Sequence, residues 1–290
     1  YKAGQFLTLR VPSERTGSVA RCYSLSSAPD EDSQLKVTVK RTRDGYGSNW
    51  LCDNVEPGMK IHVLAPSGIF TVDNFDQDLI LLAGGSGITP VMSILRTALK
   101  RGTGHIVLLY ANRDEQSVIF AEQLRQLQEA NPDRLSVIHW LESLSGLATP
   151  EMIGNILQPV AAKRHTYMCG PGPFMESARA GLRRSGADMH LIHQEVFSSI
   201  EGDPFAEVVI AEPVEGDDEP ATAIVELDDH THDTKKDAAR DAMLESTRSR
   251  GPATLRSSMY SSPRGSRRRS RAARANVPRA HAFSNPAKRR

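Results

Sequence analysis

Asp78-Leu-Ile-Leu-Leu-Ala-Gly-Gly-Ser-Gly-Ile-Thr-Pro-Val-Met-Ser-Ile-Leu95 is the stretch on which the fold of this chain turns. Its apolar run, Leu79 to Ala83, has the length and residue type of a strand buried on both faces. Gly84, Gly85 and Gly87 follow, and there the backbone is free to turn sharply and approach another group closely. The sequence then predicts Thr89 as a helix N-cap and Pro90 as the first helical residue. Val91, Ile94, Leu95, Ala98 and Leu99 form the apolar stripe of that helix, and Gly102 closes it. Strand, glycine turn and helix N-terminus together present free N–H groups and a positive dipole end to one spot, which makes a cradle for an anion.

Downstream, the pattern alternates strand and helix. Strands are expected at Leu79–Ala83, Ile106–Ala111, Leu135–Trp140, His165–Cys169 and Leu191–Val196. Helices are expected at Pro90–Arg101, Phe120–Ala130, Pro150–Leu157 and Pro173–Ser185. Residues 75–200 therefore read as an α/β domain with a doubly wound parallel sheet, whose ligand belongs off the carboxyl ends of its strands. Upstream, residues 1–74 read as an antiparallel β-barrel: Gln5–Val11, Arg21–Ser26, Leu35–Arg41 and Met59–Leu64 are strand-like and separated by turn signals such as Asp44-Gly and Glu56-Pro-Gly.

Three further clusters carry chemistry. Arg21-Cys22-Tyr23-Ser24 offers a guanidinium suited to a pyrophosphate, a flat aromatic face and a short hydroxyl donor. In Gly45-Tyr-Gly-Ser-Asn-Trp-Leu51, the N–H groups near Gly47, Ser48 and Asn49 are placed to receive the same pyrophosphate. In His165-Thr-Tyr-Met-Cys-Gly-Pro-Gly-Pro-Phe-Met175, a strand ends in Cys169 and a rigid turn follows, so the thiol is held beside the first glycine turn. Each cluster also has a plain structural reading: a surface arginine with a half-buried tyrosine, a bare turn, and an inert packed cysteine.

Taken in order, these segments resemble the ferredoxin–NADP⁺ reductase superfamily over about residues 1–200. Arg21-x-Tyr23-Ser24 resembles its flavin motif, and Gly47-Ser48-Asn49 its second pyrophosphate segment. Gly84-Gly-Ser-Gly-Ile-Thr-Pro90 and Cys169-Gly-Pro-Gly-Pro-Phe-Met175 resemble its two nicotinamide-nucleotide segments. Val39-Lys-Arg41 and His193-Gln-Glu-Val-Phe197 are most similar to the reductase components of Rieske-type oxygenases and hydroxylases. The resemblance implies roles. Arg21 and Cys22 lie at the FAD, with Tyr23 packed on the isoalloxazine ring and Ser24 near its N5. Val39 and Lys40 lie along the FAD, and Gly47, Ser48 and Asn49 lie at its phosphates. Gly84, Gly85, Gly87, Thr89, Pro90, Gly170, Pro171, Phe174 and Met175 hold NADH or NADPH, with Arg113 near the adenosine ribose. Cys169 sits by the hydride-donating carbon, and Glu195 and Phe197 sit near the flavin. Ser24, Cys169 and Glu195 are the implied catalytic residues. The implied partner is a terminal oxygenase, and the alternatives are a stand-alone flavin reductase (diaphorase) or an inactive truncated gene product.

Composition limits the reading of the chain beyond residue 200. The net charge of +1 is a sum of unlike parts: residues 201–245 carry 3 basic against 15 acidic residues, and residues from 248 onward carry 13 basic and no acidic ones. Residues 201–232 read as an acidic linker with the opening strands of a ferredoxin-like domain, including an alternating Phe205–Ala211 and Ala221–Leu227. Residues 233–290, poor in aliphatic residues, read as a disordered basic tail, in the manner of a frameshift product. A plant-type [2Fe–2S] cluster needs four cysteines, whereas Cys22, Cys52 and Cys169 are the only three and none follows Cys169. The cluster expected for the family is thus not supported by this chain. Nor do the cysteines form a metal motif or a disulfide framework. No aromatic interleaving supports nucleic-acid binding, no apolar run reaches the length of a membrane span, and a cytoplasmic setting is expected. The barrel normally opens with a strand ahead of Tyr1, so the sequence reads as N-terminally truncated.

Overall fold

The computed structural model describes residues 1–198, 204–205, 220–228, 241–247 and 253–256. Two compact units divide these residues. Residues 1–5, 24–32 and 68–198 form unit 1, while residues 6–23 and 33–67 with the C-terminal strands form unit 2.

Unit 2 contains β1 (Phe6–Ser13), β2 (Gly17–Ser24, whose last residue is assigned to unit 1), β3 (Leu35–Lys40), α1 (Tyr46–Asn54) and β4 (Lys60–Val63). The antiparallel β domain expected from the sequence is present as a sheet in the order β2-β1-β4-β12-β11-β10-β3. Its C-terminal strands are β10 (Pro220–Asp228), β11 (Asp241–Thr247) and β12 (Ala253–Arg256). β12 pairs antiparallel with β4, and β10 pairs in parallel with β3, with Val225 opposite Val37. The segment read as the first ferredoxin-like strand is thus paired with β3, and β11 and β12 fall within the span read as a tail. Backbone hydrogen bonds to open strand edges supply there what the composition does not. The rest of 206–219 and 229–290 lies outside the described residues.

Unit 1 is built on β5 (Leu79–Gly84), α2 (Ile88–Arg101), β6 (Ile106–Asn112), α3 (Ala121–Ala130), β7 (Leu135–Leu141), α4 (Glu142–Ser145), α5 (Pro150–Leu157), β8 (His165–Cys169), α6 (Gly172–Arg184) and β9 (Ile192–Glu195). Its sheet is parallel in the order β7-β6-β5-β8-β9. All six residues of β5 are buried, and their alternation sorts the core. Leu79, Leu81 and Ala83 pack with Val91, Ile94, Leu95 and Leu124 from α2 and α3. Ile80 and Leu82 pack with Ile153, Leu157, Ala178 and Leu182 from α5 and α6. Such a strand must be apolar on both faces, as the sequence run indicates.

One local expectation is corrected. Thr89 is not the N-cap of α2. A 3₁₀ turn over Gly85–Gly87 leads into the helix, Gly87 is the capping residue, and Thr89 lies in the first turn with its hydroxyl donating to the Ser86 carbonyl at 3.1 Å. Pro90 becomes the third helical residue, where a missing N–H is harmless because first-turn N–H groups have no intrahelical acceptor. Among the described residues, no helix is long and apolar enough to cross a membrane.

Candidate cofactor-binding site

In unit 1 the chain runs outward from β5 to β6 and β7, then returns to lay β8 and β9 on the other side. The strand order reverses between β5 and β8, and a crevice opens beyond the carboxyl ends of strands at such a point. The two turns singled out in the sequence are the ones that follow these two strands.

They touch backbone to backbone. A Cβ on Gly87 would lie 2.1 Å from the Cys169 carbonyl oxygen and 2.7 Å from the Gly170 nitrogen. A Cβ on Gly84 would lie 2.8 Å from the Phe174 ring and 3.0 Å from Pro171 Cδ, and one on Gly170 would lie 3.0 Å from the Gly84 backbone. Three glycines therefore let the turns close on each other, with the Phe174 ring against both Gly84 and Gly170. Gly85, by contrast, has φ +51° and open space where a side chain would begin. The left-handed conformation suits glycine, and the space leaves its backbone accessible to a ligand. Met175 is buried in α6 against the core.

Two residues missed in the sequence complete this edge. Tyr110, fully buried on β6, donates its hydroxyl to the Gly85 carbonyl at 3.0 Å and accepts the Ile119 N–H at 3.2 Å. It braces the glycine turn, and a buried tyrosine's need for hydroxyl partners was the available signal. Asn112, 8% exposed at the carboxyl end of β6, has no partner for either Oδ1 or Nδ2. Such a group calls for a ligand or water. Neighbouring Arg113 is exposed. Asp114 is committed elsewhere: its carboxylate accepts the Ser117 N–H at 2.8 Å, which draws its pKa below the ordinary value.

On the same sheet, Cys169 stands in register with Glu195. Burial, and then Glu195, push the Cys169 thiol far above its ordinary pKa, so it is a neutral thiol. Burial also raises Glu195. Phe197, beyond β9, is 48% exposed. Ser24 is buried in unit 1 at the end of β2.

In unit 2, β2 brings Arg21 against the start of α1. A Cβ on Gly47 would come within 2.8 Å of Arg21 Cγ, so glycine lets the arginine pass across the first turn, where helix N–H groups lack intrahelical partners. Arg21 donates to its neighbour's carbonyl, Ala20 O, at 2.7 Å. Ser48 and Asn49 are more occupied than the sequence suggests. The Ser48 hydroxyl shares a 2.8 Å hydrogen bond with Thr42 Oγ1, and the Asn49 N–H donates to Gly45 O. The Asn49 side chain donates to Thr42 O and accepts from Arg41. The N–H groups of Gly47 and Ser48 are left as the donors of this turn. Half-buried Tyr23 has its phenol pKa pushed up by burial first and the Cys52 thiol second, with Arg21 opposing. Cys22 Sγ is 3.4 Å from Thr8 Oγ1. On β3, against which α1 packs, Val39 is buried and Lys40 half-buried.

Residues 1–72 match the oxidoreductase FAD-binding domain family, and residues 81–180 match the oxidoreductase NAD-binding domain family. Together these two domains fit the ferredoxin–NADP⁺ reductase superfamily. Among curated proteins it is similar to the ferredoxin reductase component of 3-ketosteroid-9-alpha-monooxygenase. With that of Mycolicibacterium smegmatis it shares 60% identity over 236 residues, covering 81% of this chain and 66% of the relative. With that of Mycobacterium tuberculosis it shares 57% over 232 residues, covering 80% and 64%. The chain thus spans just under two thirds of the length of these relatives. Among solved structures, a cytochrome P450 reductase from Amycolatopsis matches with a TM-score of 0.58 at 24% identity, over 68% of this chain and 61% of that one, which establishes the shared fold.

Proposed function

We propose that this chain is the flavin- and nicotinamide-binding part of an NAD(P)H-dependent reductase that passes electrons towards a terminal oxygenase. Residues 1–74 form its FAD half and residues 75–200 its nicotinamide half, and it works in the cytoplasm. The observation that carries this is the backbone contact of Gly87 with Cys169 at the switch point, beside the unpartnered Asn112 amide. Both features fit a nicotinamide dinucleotide, and the Arg21–Gly47 contact fits a flavin pyrophosphate.

When bound, FAD supplies acceptance of a hydride from the nicotinamide nucleotide and release of electrons one at a time. The residues bind and orient. Arg21 and the first-turn N–H groups of α1 hold phosphate charge, Tyr23 presents a flat face, and Ser24 supplies a hydroxyl donor. The N-terminus of α2 and the Gly85 backbone hold the nucleotide, with Asn112 and Arg113 at its far end. Cys169, neutral and fully buried, closes the turn without competing as a nucleophile. Glu195 sits opposite Cys169 on the next strand. The three cysteines at positions 22, 52 and 169 do not supply the four thiolates of a [2Fe–2S] cluster.

Purified protein is expected to be yellow, or to become so with added FAD, and to bleach anaerobically with NADH or NADPH. A colourless chain that takes up no FAD would overturn the reading and favour an inactive product. Reduction of free flavin as a dissociable substrate, with no bound FAD, would favour a stand-alone flavin reductase.

A further inference from the structure

The boundary between the two units falls inside the Arg-x-Tyr-Ser segment: Arg21 and Tyr23 belong to unit 2, whereas Ser24 and the residues through Asp32 belong to unit 1. Within unit 1 the Ser24–Asp32 segment is held by contacts from one face of α2, where residues three apart are neighbours. Ser93, fully buried, donates its hydroxyl to the Ser27 carbonyl at 2.5 Å. Three residues on, the Arg96 guanidinium meets Asp32 Oδ2 at 2.6 Å and Glu31 Oε2 at 2.9 Å. Asp32 Oδ2 also accepts the Ala28 N–H at 2.8 Å, so the arginine grips a turn that is already closed. Tyr1 donates its hydroxyl to Ser27 Oγ at 2.9 Å.

The same helix starts at the Gly85–Gly87 turn. One rigid element therefore carries the glycine turn at its beginning and holds the Ser24–Asp32 segment along its side. We propose that Arg96, with Ser93, is a positioning residue. It fixes the Ser24 end of the flavin motif relative to the nicotinamide cradle and so sets the alignment for hydride transfer. This rests on the roles given to Ser24 and the glycine turn under the proposed function. Arg96 is suited to the task and Arg101 is not. The side chains of Arg96, Glu31 and Asp32 are 21%, 29% and 15% exposed, whereas Arg101 and its partner Asp30 are 45% and 61% exposed. Exposed pairs are screened and weak, while a partly buried guanidinium held at two carboxylates fixes geometry.

The test is anaerobic stopped-flow reduction of the FAD-loaded protein by NADH and NADPH, using the nucleotide that reduces wild type. Wild-type protein that takes up FAD but is not reduced by either nucleotide sinks the proposed function itself, independently of the variants. With wild type reduced, Arg96→Ala is expected to slow the limiting reduction rate about 10- to 100-fold, the scale of an ångström-sized misalignment. Its nucleotide dissociation constant and FAD content should stay within about twofold of wild type, and Arg96→Lys should recover most of the rate. Arg101→Ala should match wild type. Where Arg96→Ala does not fold or hold FAD, Asp32→Asn, which leaves the helix untouched, is expected to show the same fall. A limiting rate within about twofold of wild type in whichever of the two folds overturns the proposal.

Discussion

Gly87→Ala puts one methyl group at the point where the two turns meet. At φ −61° and ψ −8° the backbone of Gly87 accepts alanine without strain, so the whole effect is packing. The new Cβ would stand 2.1 Å from the Cys169 carbonyl oxygen and 2.4 Å from its carbon. Both are backbone atoms of a strand end, with no rotamer that could swing away. Relief to the 3.4 Å of ordinary contact moves the turns apart by about 1.3 Å. Overpacking of this kind costs about 1–3 kcal/mol, and a misplacement of that size in a hydride-transfer site costs about 100-fold in rate. The assay is anaerobic stopped-flow reduction of bound flavin by NADH or NADPH, beside urea denaturation of the same preparation. FAD content should be unchanged, because Arg21 and Gly47 belong to unit 2. Gly172→Ala is the control, since nothing lies within 4 Å of its Cβ position. Gly87→Ala reducing at the wild-type rate would refute the idea that this contact shapes the nicotinamide site.

Arg21→Ala should weaken FAD retention about 10- to 100-fold, the value of a charged hydrogen-bonding group, read by flavin fluorescence released on dilution. Cys169 should resist iodoacetamide in mildly alkaline buffer, because it is fully buried and its thiol pKa is pushed far up, while half-buried Cys22 reacts faster; peptide mass spectrometry decides. Folding stability should fall as pH drops below the ordinary histidine value of 6.5. Burial lowers the pKa of His139 and His193, so the unfolded chain takes up protons first and the stability present above 6.5 is lost towards their folded values. His165, 3.2 Å from His193, adds to the lowering, while Asp73 opposes it. Glu195, with its raised pKa, acts in the opposite sense above its ordinary 4.5, but does so equally in a His193→Gln variant. That variant should show a flatter slope between about pH 7.5 and 5.5 in urea titrations; an unchanged slope would remove His193 from the account.

The local rules worked where a segment's neighbours in space are its neighbours in sequence. The all-apolar Leu79–Ala83 run is a central strand because a strand with helices on both faces must be apolar on both. The alternation beyond it adds four more strands, which complete a five-stranded parallel sheet. Thr89 misled because a Thr-Pro pair marks a helix start by rule, and the rule does not see a 3₁₀ turn entering the helix earlier. Asn49 reads as a ligand donor in sequence, yet its amide meets Thr42 and Arg41, whose places depend on how the loop folds back.

Sequence alone therefore determined the two domain types and their order, because backbone conformation and strand burial are written in short-range pattern. Tertiary structure decided what the glycine turns touch. The meeting of Gly87 with Cys169 joins residues 82 positions apart. The Tyr110 brace, the unpartnered Asn112 and the Arg96 grip on Asp32 likewise depend on strand order and helix docking. Those are set by the packing of whole faces, and no local pattern encodes a distance between two such faces.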